Sequence, residues 1–335
     1  MAVDTPIGRR RLLGLHMVDT LCPYCSERAT DSLDNVFPDF LGGSARIAAC
    51  ERCNNTFGHT IEAASAQHLQ QLMYVLRLSG MPTPGKVKWK GIKLGDRPGL
   101  YNVDQDLNAS PTVPVIERDN AGKIVRATGS KRHVTQVIAA IERQGRKGRI
   151  ADGTSQEPIP SLSRVTFPLD DDIKRLCVKM SVGVLRRAGM PFQLGGRAQE
   201  YLLRRTMGDV CPVRLAMETY PRLDERRPLA GHLVYVRANP VERRVYSIVQ
   251  LFTIIQFYCE LDDTYEGGSV AVVATHDPVA HEEKFDPMPP LDYPLPERFW
   301  PRPYAEGIKL RLEQLRLELV KLYPDSAPDT LYPPE

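Results

Sequence analysis

A chain of 335 residues that is 42% apolar and 25% charged is long enough for two or three domains and too apolar for wholesale disorder. Its net charge of +3 hides a split: residues 1–150 carry 21 Lys and Arg against 14 Asp and Glu, while the remainder carries 23 against 27. A basic N-terminal half suits a polyanion, or is an ordinary solvated surface. The longest apolar run, 248–258, is broken by Gln250, Thr253 and Gln256, and no apolar stretch follows Arg9-Arg10-Arg11, so neither a membrane span nor a secretory signal is visible and a cytoplasmic location is expected.

Four of the seven cysteines fall in two pairs near the N-terminus, Cys22-Pro-Tyr-Cys25 and Cys50-Glu-Arg-Cys53. Cys177, Cys211 and Cys259 are scattered in apolar or strand-like surroundings and read as buried thiols. From Asn54 to about Ser79, Ile61, Leu69, Leu72, Met73 and Leu76 share one helical face, stopped by Gly80 and Pro82. Short β-like runs fill 86–126, with Asn120 and Gly122 in a hairpin turn, and a helix is predicted at about 131–146. A polar loop marks a soft boundary near 150–160. Asp170-Asp171-Asp172 then starts the helix IKRLCVKMSVGVLRRAG, and GRAQEYLLRRTMGD forms another. Strands return in LAGHLVYVRANP, RRVYSIVQLFTIIQFYCEL and SVAVVATHD, followed by a Pro-rich strap at 287–303. Ile308, Leu312, Leu315, Leu319 and Leu322 make a last helical stripe, which packs on the body or forms the seam of a homodimer or partner protein. The fold class is α+β, divided as 1–80, 81–155 and 156–335.

Zinc takes four soft ligands in a tetrahedron, and a tight Cys-x-x-Cys turn supplies two of them from one short loop. Cys22, Cys25, Cys50 and Cys53 can therefore close a structural Zn²⁺ site that folds the stretch between them, a redox dithiol being the alternative. With four protein ligands the ion has no open position, which makes it a staple and not a catalyst.

Between the knuckles stands LDNVFPDFLGG, and together CPYC, DNVFPDFLGG, AACERCNNTFG and HTIEA resemble the zinc-knuckle subfamily of HNH endonucleases over about 22–62. The resemblance implies a ββα-metal unit holding a divalent ion over a scissile phosphate, followed here by a mixed α+β C-terminal region. It places Asp34 and Asn54 as ligands of a catalytic Mg²⁺ or Mn²⁺, which keeps waters and substrate phosphate in its remaining positions. It puts Asn35 where the family has its general-base histidine. The family's central Asn is absent from SARIAAC, so a strand there is in doubt.

An amide has no basic lone pair to take a proton from water near neutrality, so the unit should bind metal and DNA but cut poorly. Asn35 reads as an engineered exchange, as a natural variant with another base, or as the mark of a dead site. His59, five residues after Asn54, is the candidate substitute base, or else a surface histidine. Glu62 falls where the family has an acidic residue, holding an active-site group or simply solvated. Arg9, Arg10, Arg11, Arg46, Arg52, Lys88 and Lys90 are the candidate phosphate contacts, with no base-reading motif beside them. The functional expectation is a crippled metal-dependent DNA endonuclease or nickase, in restriction or anti-phage defence by analogy; the alternative is a non-catalytic zinc-stapled DNA-binding adaptor.

Overall fold

The computed structural model describes residues 21–78, 89–92, 99–103, 109–129, 131–143, 145, 170–204, 211–216, 223, 225–228, 231–278 and 280–291. Arg9, Arg10, Arg11, Lys88, most of the Pro-rich strap and the terminal stripe 308–322 lie outside these residues. The chain forms two compact units, Met1–Ala64 with Asp170–Leu315, and Ser65–Leu169 with Arg316–Glu335.

In the first unit, β1 (Ser32–Asn35) pairs antiparallel with β2 (Arg46–Ala49), setting Asp34 opposite Ile47 and Asn35 opposite Arg46. The expected weakness of this second strand is not realised. Backbone bonds from Val36 to Ala45 (2.8 Å) and from Asp31 to Ala49 (3.1 Å) extend the ladder at both ends without the missing Asn. A 3₁₀ turn at Asp39–Leu41 closes on Gly42 in the left-handed region, φ 94°. At Gly43 a Cβ would stand 1.8 Å from the Phe37 carbonyl oxygen, so this second glycine is required by close backbone approach.

Helix α1 (Glu51–Phe57) starts three residues before the apolar pattern does, because Cys50 is its N-cap and its sulfur accepts from the Cys53 amide at 3.4 Å. It runs through a π-helical turn, Gly58–Glu62, into α2 (Ala63–Leu78), inside which the boundary between the two units falls.

The second unit holds a three-stranded antiparallel sheet of β3 (Trp89–Ile92), β4 (Tyr101–Val103) and β5 (Ala109–Pro111). A hairpin follows, β6 (Val115–Arg118) and β7 (Ile124–Thr128). Its turn forms where Asn120 and Gly122 suggest: Gly122 has φ 77°, and the Asp119 carboxylate accepts from the Ala121 and Lys123 amides. Helix α3 covers Lys131–Glu142.

The first unit resumes with α4 (Asp171–Arg187), capped by Asp170, whose carboxylate accepts from the Ile173 amide, and α5 (Gly196–Leu203). Six strands complete it: β8 (Val213–Leu215), β9 (His232–Asn239), β10 (Arg244–Leu251), β11 (Ile255–Asp262), β12 (Val270–Asp277) and β13 (Glu282–Pro287). They form one antiparallel sheet in the order β13-β12-β9-β10-β11-β8. Both faces of the central strands β9, β10 and β11 are buried. On one, Ser247 meets Ser181 of α4 at 2.6 Å; on the other, Leu233, Tyr235, Ile248 and Val273 pack with Met288 and Leu291. A strand covered on both faces has no need of polar–apolar alternation, which is why SIVQLFTIIQFYCEL reads as one apolar run.

Helix α4 is almost wholly buried and packs on this sheet, on β2 and on the π turn. Gly183 lets it approach closely, since a Cβ there would lie 3.3 Å from the Val36 Cα. The N-terminal knuckle segment and the C-terminal α+β region thus fall in one compact unit. Of the three scattered cysteines, Cys177 and Cys259 are buried, whereas Cys211 is only half-buried.

Candidate zinc centre and HNH-type site

The knuckle loops bring four sulfurs together. The Cys22 amide bonds to the Arg28 carbonyl (2.7 Å), the Ser26 amide to the Cys22 carbonyl (2.9 Å), and Ser26 turns left-handed at φ 55°. Sγ atoms of Cys22, Cys25, Cys50 and Cys53 all lie within 4.8 Å of one another, buried and without disulfides. A tetrahedron with Zn–S bonds of ~2.3 Å has S···S edges of ~3.8 Å; the Cys25–Cys50 separation is 3.9 Å. A hydrogen bond from Cys53 pulls the Cys22 thiol down to about 5 and pushes Cys53 upward, while burial raises Cys50 to about 11. The donor set fits a four-cysteine zinc site.

Asp34 is 3% exposed, and both its oxygens are engaged. The Tyr24 hydroxyl donates to Oδ2 at 2.7 Å, and the Lys179 ammonium donates to Oδ1 at 2.8 Å. The same ammonium reaches the Asn35 carbonyl at 3.1 Å and Glu62 Oε1 at 2.6 Å, and it is wholly buried. Burial alone would push the Lys179 pKa down, but Asp34 and Glu62 outweigh it and the value is raised. Burial, followed by the Asp34 charge, holds the Tyr24 hydroxyl well above its usual value, so it remains a donor.

Asn35 sits at the end of β1 with its amide fixed at both ends. Nδ2 donates to Asp39 at 2.5 Å, and Oδ1 accepts from Arg46 Nε at 3.1 Å. Asn54, on α1, donates to Ser32 Oγ (2.8 Å) and to the Leu33 carbonyl (2.9 Å), pinning the helix start to β1. Asp34, Asn35, Asn54 and the four cysteines thus belong to one strand–helix unit. His59 is exposed on the π turn and makes no hydrogen bond to the other site residues described. Arg46 and Arg52 are exposed on this unit, and Lys90 is exposed on β3 of the other.

A divalent ion of the kind implied by the HNH resemblance needs carboxylate and amide oxygens with room for water and phosphate. The residues as arranged do not fit it: Asp34 is dry, and an ammonium already lies within hydrogen-bond distance of one oxygen.

The residues missed in the sequence are Tyr24, Asp39 and Lys179. Tyr24 sits inside the first knuckle, Asp39 inside LDNVFPDFLGG, and Lys179 is the lone cation within the apolar stretch LCVKMSVGVL. A charge in a buried helical face carries a signal, because a buried lysine is seldom found without a partner.

Residues 22–70 match the family model described as HNH endonuclease. No curated protein and no solved structure matches the chain. Over residues 22–70, then, the chain is similar to HNH endonucleases, and the cysteine cluster within that match is consistent with the zinc-knuckle kind.

Proposed function

We propose that the protein acts on DNA through its HNH segment and that phosphodiester hydrolysis is crippled at Asn35. The observation that carries this reading is the setting of Asn35, which the resemblance puts where the family has its general base: its amide is spent between Arg46 and Asp39. An amide so held can orient a water but cannot remove its proton. Arg46 and Arg52 beside the site, and Lys90 on β3, supply cationic contacts for phosphate, with the basic segment Arg9-Arg10-Arg11 adding to them. His59, exposed on the π turn, is the candidate substitute base. The Mg²⁺ or Mn²⁺ ion expected at Asp34 and Asn54 contributes no step to this reading, because Asp34 is already paired with Lys179. Restriction or anti-phage defence is the setting we assign to such a protein.

The test is plasmid nicking by the unaltered chain and by Asn35→His, with and without Mg²⁺ or Mn²⁺. A restored base is worth roughly 10²–10⁴ in rate, so Asn35→His should cut about a hundredfold faster or more. Equal, robust cutting by both would overturn this account of Asn35, and loss of that activity in His59→Ala would place the base there. A second reading, a non-catalytic zinc-stapled DNA-binding adaptor, is favoured by the buried Asp34–Lys179 pair. It predicts DNA binding with no cleavage by either chain.

A further inference from the structure

Two carboxylates converge on one buried point. Asp34 comes from β1 and Glu62 from the end of the π turn, and their oxygens lie 2.8 and 2.6 Å from Lys179 Nζ. The Asn35 carbonyl adds a third oxygen at 3.1 Å. Two carboxylates and a backbone carbonyl around one centre form an oxygen cage of the kind that suits a hard cation. The lysine that fills it comes from α4, 145 residues away from Asp34, and its Nζ has no water-facing surface. An ammonium has three protons to donate, and three oxygens receive them here, so every donor of Lys179 is satisfied, while the two carboxylates around one ammonium leave the cage one negative charge in excess.

We propose that Lys179 is the resident cation of this site, occupying with its ammonium the position in which Asp34 would otherwise take a divalent ion. The proposal rests on the HNH reading only for the role of Asp34; the cage itself is independent of whether DNA is the substrate. Its consequence is a segment that folds and binds its target without a second metal, the four-cysteine zinc apart. The site is also completed by the C-terminal region, since no cation from residues 22–70 reaches Asp34 among the described residues.

Mn²⁺ titration of the zinc-loaded full chain, followed by electron paramagnetic resonance, tests this without any cleavage assay. The unaltered chain should bind Mn²⁺ no better than Asp34→Asn does. Lys179→Met, which keeps the stem and removes the charge, should gain one Mn²⁺ per chain, about tenfold tighter or more than anything in the unaltered protein. That gain should vanish in Lys179→Met combined with Asp34→Asn. A site in the unaltered chain that Asp34→Asn abolishes would overturn the proposal, and so would a folded Lys179→Met that gains none. If Lys179→Met does not fold, the comparison of the unaltered chain with Asp34→Asn still decides the matter. Failure of nicking or DNA binding would sink the functional reading and leave this result standing.

Discussion

His232 and His276 make the first unit acid-sensitive in a way that can be worked out in advance. The two rings lie on neighbouring strands β9 and β12, stacked 5.6 Å apart at 17°, both essentially without solvent exposure. Phe37 from the HNH segment packs against both, at 6.4 and 5.5 Å, and Phe252 meets His232 at 4.5 Å. His232 Nδ1 accepts from the Phe252 amide, which leaves Nε2 buried without a partner. Burial, then the neighbouring His276, holds the His232 pKa well below 6.5; burial also lowers His276, partly offset by Glu283, the Gly42 backbone and Asp277, with His281 opposing. Both folded values are thus depressed, and the unfolded chain takes up protons first as pH falls. Stability is complete above about pH 6.5 and is lost as pH drops from there towards the folded values. At pH 5 a histidine held neutral in the folded state costs about 2 kcal/mol, which bounds the loss from His232, and His276 adds to it in the same direction. Charging both would add repulsion of about 3 kcal/mol at an effective dielectric of ~20. Urea unfolding by circular dichroism at pH 7, 6 and 5 measures this. The free energy should fall steeply below pH 6.5 and less steeply in His232→Gln. A flat profile between pH 7 and 5, or an unchanged slope in His232→Gln, would refute the reasoning.

Other expectations are more local. Metal analysis should find about one tightly held zinc per chain, and Cys50→Ser should abolish it and unfold the knuckle, as loss of helical signal and protease resistance around 22–57 would report. Gly43→Ala forces a Cβ into the Phe37 carbonyl and should cost about 2–4 kcal/mol in chemical denaturation. Glu283 of β13 accepts from the Ser44 and Ala45 amides at 2.7 and 2.8 Å; Glu283→Ala should cost about 1–2 kcal/mol and speed hydrogen exchange at those two amides selectively.

What could be foreseen in the sequence was what lies close along the chain. The knuckles, the β1–α1 order, the Asp119–Lys123 turn and the α4 start are each written within a few residues, because capping, turn chemistry and thiol spacing act locally. The strand at 46–49 formed despite its missing Asn, since the two cysteine pairs and the ladder around Asp31 and Val36 already set its register. Asp34 is a different case. Its neighbours in sequence suggest an open ligand, and only a lysine 145 residues on turns it into half of a buried ion pair. Likewise nothing local links His232 to His276 or to Phe37; the sheet order brings them together. Glu62 reads in the sequence either as holding an active-site group or as simply solvated, and in the structure it pairs with Lys179.

The distance between Asp34 and Lys179 also sets a timetable for synthesis. At about 5–20 residues per second, translation needs about 7–30 s to proceed from Asp34 to its partner 145 residues later. Throughout that interval the emerging N-terminal segment can close its zinc knuckle, but it carries Asp34 and Glu62 with no ammonium between them. The HNH segment therefore becomes complete only after α4 has left the ribosome, and a chain stopped short of residue 179 would release a knuckle whose acidic cage is empty and open to ions in the surrounding solution.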